Sequence, residues 1–170
     1  GPCVPDHAWP GGARVALQFV INYEEGGEHS VLDGDACSEA IVTEEPTLPV
    51  RDGRNMNVDS QYEYGSRAGF WRLQRLFTER SLPVTVFGVT RALRRNPEAV
   101  AAMLESGWEI ASHGYRWIDS SGLPEGEERD YMRRAVDGHT AITCSPPLRW
   151  YTGRWSGNSR RLVPQFPEVL

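Results

Sequence analysis

The chain has 170 residues, a net charge of −5, three cysteines and no lysine. This length fits one domain with a sizeable core. The absence of a basic run argues against a nucleic-acid partner and a polybasic membrane patch, and no apolar stretch approaches the ~20 residues of a bilayer span. The cysteines form no CxxC pair, which favours reduced thiols in a cytoplasmic protein.

Apolar segments alternate with segments of helical period along the chain. The predicted strands are Ala13–Ile21, Pro83–Val89, Trp108–Ala111 and Leu148–Tyr151. The predicted helices are Gln61–Arg80, one capped by Asn96 and ended at Gly107, Pro124–Ile142, and a short one that begins near Asn158 and ends at Pro164. Strands and helices in alternation predict an α/β fold with a parallel sheet and crossover helices.

One long polar segment, residues 24–60, interrupts this alternation within what otherwise reads as a single domain over residues 1–170. Connections of this length in compact domains are usually functional or disordered. The segment leaves directly from a pair of carboxylates, so a substrate-covering loop and a floppy insertion both stay open as interpretations. The chain does not begin with Met, which suggests a fragment or a processed protein.

Two carboxylates and a histidine follow predicted strands, at the end of the sheet where catalytic groups collect in α/β folds. Glu24 and Glu25 precede Gly26-Gly27, a turn that lets one carboxylate face the cleft while the other supports it. A solvated acidic pair is the alternative. His113 precedes Gly114 and is a candidate acid/base, a metal ligand or a structural histidine.

Further candidates lie beside these three. Trp117 could wall a pocket, with Arg116 and Asp119 as polar groups next to it. After the fourth predicted strand, Tyr151 and Arg154 stand in a glycine-containing loop that suits a planar polar ligand and a developing oxyanion. A generic glycine-rich turn is the alternative interpretation of that loop.

At these residues the chain resembles the polysaccharide deacetylase (NodB-like, carbohydrate esterase family 4) superfamily. That family has an Asp-Asp pair after its first strand and His-x-x-x-His after its third. The resemblance implies that Glu24 is the catalytic base, that Glu25 occupies a metal-ligand position, and that His113 matches the first histidine. It also implies a (β/α) barrel of about seven strands, of which this chain would supply about four.

The position of the second family histidine holds Trp117, and an indole cannot ligate zinc. The chain is therefore similar to the metal-independent allantoinase branch of the superfamily, which carries the same NYEEGGE, SHG-x-RWID and WYTGR wording. A stretch that includes Glu63 and Arg67 is similar as well, and both are candidate substrate contacts. The resemblance implies no cofactor and no metal.

This resemblance implies hydrolysis of the cyclic amide of allantoin to allantoate, with Glu24 activating water and His113 protonating the departing nitrogen or orienting the water. The resemblance implies a small ureide substrate. A homo-oligomer is a separate expectation. A metal-dependent N-deacetylase of a sugar polymer, with Asp119 as a replacement ligand, is one alternative. A truncated, inactive fragment is the other, because members of this branch are considerably longer.

Overall fold

A computed structural model describes residues 8–41 and 52–169. Its strands are β1 (Phe19–Tyr23), β2 (Val84–Gly88) and β3 (Glu109–Ser112). Its helices are α1 (Met56–Tyr64), a π-helical segment (Gly65–Gly69), α2 (Phe70–Glu79), α3 (Thr90–Arg95), α4 (Pro97–Glu105), α5 (Glu125–Thr143) and α6 (Ser159–Leu162). Short 3-10 turns lie at Pro10–Gly12, Val31–Asp33 and Val163–Gln165.

The three strands form one parallel sheet in the order β1-β2-β3. Its register aligns Tyr23 with Gly88 and Gly88 with Ser112, so all three strands end at the same edge. Crossover helices connect the strands, as the alternation in the sequence predicts. The sheet is open, which confirms the α/β class and the partial barrel.

The first strand begins six residues later than predicted and extends two residues further, to Tyr23. Residues 13–18 pair with no neighbouring strand, and Val15 and Leu17 are 68% and 79% exposed. The side chains of residues 13–18 are apolar in part but are not buried against any described part of the chain. The pairing instead begins where Phe19 meets Val84.

The fourth predicted strand, Leu148–Tyr151, is reduced to a single bridge between Trp150 and Ser112. The Ser112 N–H donates to the Arg149 carbonyl at 2.8 Å, and the Tyr151 N–H donates to the Ser112 carbonyl at 2.8 Å. Pro146-Pro147 stands just before this segment, and proline has no N–H to extend the ladder. Among residues 8–41 and 52–169 the sheet therefore has three strands, not four.

The predicted helix Gln61–Arg80 is the second part of a longer helical run from Met56 to Glu79. Asn55 caps its start, because its side-chain oxygen accepts from the Val58 N–H at 3.3 Å. The run passes through the π-helical segment, a feature that is frequent at functional sites. Its α2 part packs on the sheet through Phe70 and Phe77.

The remaining helices largely follow the predictions. Asn96 caps α4 through a hydrogen bond from the Ala99 N–H at 3.1 Å, and α5 and α6 lie within a residue or two of their expected places. Helix α3 was not predicted from the sequence. The N–H of Thr90, its first residue, donates to the Gly114 carbonyl at 2.9 Å, so a tertiary contact starts this helix.

Two apolar clusters hold these elements together. The larger lies between the sheet and helices α2, α3 and α4, and the smaller joins α5 to the C-terminal segment through Met132, Val136, Leu162, Phe166 and Val169. None of the helices within the described residues has the length and apolar character needed to cross a membrane.

Candidate active site

The candidate site is built where β1 and β3 end. Glu24 follows the last residue of β1, and His113 follows the last residue of β3. Since the parallel register brings these strand ends to one edge, the two side chains meet although 89 positions separate them: His113 Nε2 lies 2.9 Å from Glu24 Oε1. The structure thus brings together two of the three predicted catalytic residues.

His113 is held from its other side by the backbone. Its Nδ1 lies 2.7 Å from the Tyr151 carbonyl oxygen. A carbonyl only accepts, so Nδ1 carries a hydrogen, and Nε2 carries one as well unless Glu24 is protonated. The pair therefore shares one proton between Nε2 and Oε1. The His113 side chain is 2% exposed, whereas the Glu24 side chain is 18% exposed and borders the cleft.

The Gly26-Gly27 turn separates the two adjacent carboxylates. Gly26 has φ +91°, and the Gly27 N–H donates to the Glu24 carbonyl at 2.8 Å. Glu25 consequently points away from His113 and accepts from the Ser66 N–H at 3.0 Å, in the π-helical segment. Burial raises the pKa of the Glu25 carboxyl. Glu25 therefore makes no contact with His113, and its catalytic role stays a prediction.

Trp117 and Arg154 form a second part of the site. The Arg154 guanidinium carbon lies 4.7 Å from the centre of the Trp117 ring, a cation–π distance. Gly153 passes so close to both neighbours that a Cβ built there would lie 3.0 Å from His113 Nε2 and 3.0 Å from Trp117 Cδ1. The loop that bears Arg154 therefore packs directly against the histidine.

Tyr151 has two roles in this loop. Its carbonyl holds His113, and its ring stacks on Phe87 at 4.2 Å between ring centres. The ring remains half exposed. Tyr151 thus lies beside the Glu24–His113 pair, and Phe87 already occupies one face of its ring.

Arg116, a predicted substrate contact, is engaged by the protein instead. Its Nη2 donates to Asp35 Oδ2 at 2.6 Å and to the Glu28 carbonyl at 2.7 Å, and its Nε donates to the Gly27 carbonyl at 3.3 Å. The hydrogen bonds from Arg116 hold the pKa of the Asp35 carboxyl well below its usual range. Arg116 therefore fastens the long loop to the segment after β3.

Three other predicted contacts pair with neighbours other than Glu24 and His113. Asp119 is exposed, and its carboxylate accepts from the Ser121 N–H at 2.8 Å. Glu63 and Arg67 pair with each other at 3.4 Å on one helical face, and both side chains are exposed. These two residues border a polar cavity that they share with Glu25, not with His113.

Two residues that the sequence did not single out line the site. Tyr62, on α1, faces a cavity of about 630 Å³ that also borders Glu24. Burial, followed by the charges of Glu24 and Glu39, raises the pKa of the Tyr62 phenol. Glu39, from the long loop, pairs with Arg154 at 2.9 Å. An aperiodic loop gives no signal for Glu39, whereas Tyr62 belongs to the stretch that carries the family resemblance.

The donor set does not fit a divalent metal of the kind that the wider superfamily implies. Glu24 and His113 are adjacent, but Trp117 holds the third position and Glu25 is turned toward Ser66. Residues 8–41 and 52–169 contain no group of three or more His, Cys, Asp or Glu side chains arranged to hold a metal ion. Such sites need at least three protein ligands.

Comparison with protein families and curated proteins gives a consistent result. The family model described as polysaccharide deacetylase matches residues 55–166. A Schizosaccharomyces pombe protein, whose name assigns it to the polysaccharide deacetylases, is 40% identical over 174 residues. That match covers all of this chain and 54% of the relative.

Solved structures give the same picture. The PuuE allantoinase crystal structure superposes with a TM-score of 0.90 at 49% identity, over 95% of this chain and 54% of that one. A Pseudomonas aeruginosa PAO1 protein assigned to the polysaccharide deacetylases gives 0.89 at 51% identity, with the same coverage. The chain thus spans about half the length of the relatives it matches. Together with the family match, these likenesses show that the chain belongs to the polysaccharide deacetylase family.

Proposed function

We propose that this protein hydrolyses the cyclic amide of allantoin to give allantoate without a metal ion. The observation that carries the proposal is the Glu24–His113 contact at 2.9 Å beside Trp117, which replaces a metal ligand. The 49% identity to the PuuE allantoinase supports the same reaction. Because the chain spans about half of that relative, the activity is proposed for the protein of which this chain forms the whole or a part.

Glu24 acts as the base in this reaction. Its carboxylate takes a proton from water, and the hydroxide oxygen bonds to the ring carbonyl carbon. The carbon–nitrogen bond then breaks, and the leaving nitrogen takes the proton that Glu24 and His113 share. One water is consumed, and the pair returns to its starting protonation state. The product carboxylic acid then releases its proton to solvent to give the carboxylate.

Arg154 is the side chain best placed to stabilise the oxyanion. A charged donor aimed at the developing oxygen contributes on the order of 3 kcal/mol to lowering such a barrier. Trp117 lies under the guanidinium and offers a flat apolar wall to the substrate ring. Tyr62 closes the site from α1.

A second candidate, a metal-dependent N-deacetylase of a sugar polymer, is favoured by the names of the S. pombe and P. aeruginosa relatives. It needs a ligand in place of the second histidine, and Asp119 was the nearby candidate. The Asp119 carboxylate is exposed and accepts from Ser121, so it would have to leave that hydrogen bond to reach the site.

A substrate panel distinguishes the two candidates. The chelator-treated protein is incubated with allantoin and, separately, with an N-acetylglucosamine oligomer, each with and without added zinc. We expect allantoate to form at the same rate with and without zinc, and no acetate to be released. Zinc-dependent acetate release without allantoate would overturn the proposal in favour of the deacetylase.

A further inference from the structure

The carboxylate of Glu39 is buried in the part of the long loop that precedes residue 42. Its side chain is 6% exposed. Oε1 accepts from the N–H groups of Ala40 and Ile41 at 2.9 and 3.0 Å, and the Glu39 N–H donates to the His29 carbonyl at 2.8 Å. The loop backbone therefore fixes where this carboxylate points.

The other oxygen of Glu39 is directed at the site. Oε2 accepts from Arg154 Nη1 at 2.9 Å, across 115 positions of sequence, and the Arg154 side chain is 19% exposed. Removing either member of such a largely buried ion pair leaves an uncompensated charge, so the folded loop depends on both residues. A guanidinium held by one Nη and by the face of Trp117 still has other N–H groups for a ligand.

We infer that Glu39 is the positioning residue of Arg154 in the reaction proposed above, on which this inference rests. The carboxylate fixes the guanidinium plane over Trp117, so that its remaining N–H groups meet the substrate carbonyl. The long loop thereby becomes part of the active site, because its segment 29–41 supplies the residue that orients the oxyanion donor. Glu39 itself touches no reacting atom.

A double-mutant cycle tests this inference. Glu39→Gln keeps an amide oxygen for the Ala40 and Ile41 N–H groups but removes the charge that holds Arg154. We expect kcat for allantoin to fall about 10- to 100-fold, with KM little changed, because a misplaced donor acts mainly on the transition state. Arg154→Gln lowers kcat about 10²- to 10³-fold, and the double variant is no slower than Arg154→Gln alone.

Asp35→Asn is the matched control. It breaks another Arg–carboxylate pair of the same loop, with Arg116. The Asp35 carboxylate contacts Ser30, His29 and Arg116, and neither Glu24 nor Arg154. The effect of Asp35→Asn on kcat should multiply with that of Arg154→Gln, as expected for independent sites. Losses from Glu39→Gln and Arg154→Gln that also multiply would overturn the positioning role.

Hydrogen exchange of segment 29–41 separates this inference from the proposed function, because it needs no substrate. We expect faster exchange in Glu39→Gln and in Arg154→Gln to a similar extent. Unchanged exchange in both variants overturns the pairing whatever the substrate is. Should wild type fail to turn over allantoin while both variants exchange faster, the pairing is supported and only the proposed reaction fails. If Glu39→Gln does not fold, the hydrogen exchange of Arg154→Gln tests the pair by itself.

Discussion

At the scale of single residues, the site depends on the proton shared by Glu24 and His113 and on the close approach of Gly153 to His113. His113 is fixed by a backbone carbonyl on Nδ1 and by Glu24 on Nε2, so its ring has little freedom to turn. Gly153 completes this arrangement, since a side chain at this position would crowd both His113 and Trp117.

Replacing this glycine tests the close approach. Gly153→Ala places a methyl group 3.0 Å from both His113 Nε2 and Trp117 Cδ1, so the imidazole or the loop must shift. We expect kcat to fall about 10- to 100-fold, as a misplacement on the order of 1 Å does. Steady-state kinetics and a thermal melt measure activity and fold together.

Gly157→Ala is the control for this substitution. Gly157 lies in the same loop, and a Cβ there meets nothing within 4 Å. Wild-type activity is expected for this variant. Equal losses in Gly153→Ala and Gly157→Ala would show that the loop tolerates no alanine at all, and would contradict the specific contact.

At the scale of elements, sequence patterns predict those strands and helices whose signals are local. Strand β2 is buried on both faces and Asn96-Pro97 forms a standard helix start, so both were found within a residue or so. Strand β1 and helix α3 were misjudged because pairing partners and the Gly114 carbonyl, which lie far away in sequence, set their limits.

The site residues divide in the same way, into those with a local sequence signal and those placed by distant contacts. Glu24 and His113 were predicted because strand ends gather at one edge of a parallel sheet. The contact of Glu39 with Arg154 and the contact of Arg116 with Asp35 were not predicted, since both depend on how an aperiodic loop folds back on the site. Part of that loop, residues 42–51, lies outside the described residues.

Helix α5 carries a buried histidine that makes stability depend on pH. His139 is 2% exposed, and burial lowers its pKa to about 4. Between its ordinary pKa of about 6.5 and pH 4, the unfolded chain binds a proton at this position that the folded chain does not. The free energy of unfolding therefore falls as the pH falls through this window.

We expect His139→Met to remove this part of the pH dependence. Relative to the variant, wild type should lose about 2 to 3 kcal/mol of unfolding free energy between pH 7 and pH 4. Denaturant unfolding of both proteins at several pH values measures the difference. Because other groups titrate equally in the two proteins, parallel curves would contradict the assignment to His139.

At the scale of the whole molecule, the open sheet is the main feature. Within the described residues, β1 pairs on one side only, with β2. Val20 on this strand is 41% exposed, and Leu73 and Leu76 on α2 are also exposed. A strand with one unpaired edge and apolar neighbours favours edge-to-edge association.

Self-association through this edge is therefore expected for the chain on its own. Val20→Lys places a charge on the edge strand and should lower the average mass in light scattering toward that of the monomer. Leu104→Lys is the control, because Leu104 is similarly exposed but lies on α4. An equal reduction by both substitutions would point to nonspecific solubility, and no reduction by Val20→Lys would contradict association at β1.

The central claim is that Glu24, with the proton it shares with His113, performs the hydrolysis without a metal ion. The most direct measurement is the rate of allantoate formation by chelator-treated wild type and Glu24→Gln. Glutamine keeps a hydrogen-bonding group opposite His113 but cannot take a proton from water. We predict an unchanged wild-type rate in chelator and a loss of about 10²- to 10⁴-fold in the variant. Loss of the wild-type rate in chelator with recovery on adding zinc, or a variant as active as wild type, would contradict the account.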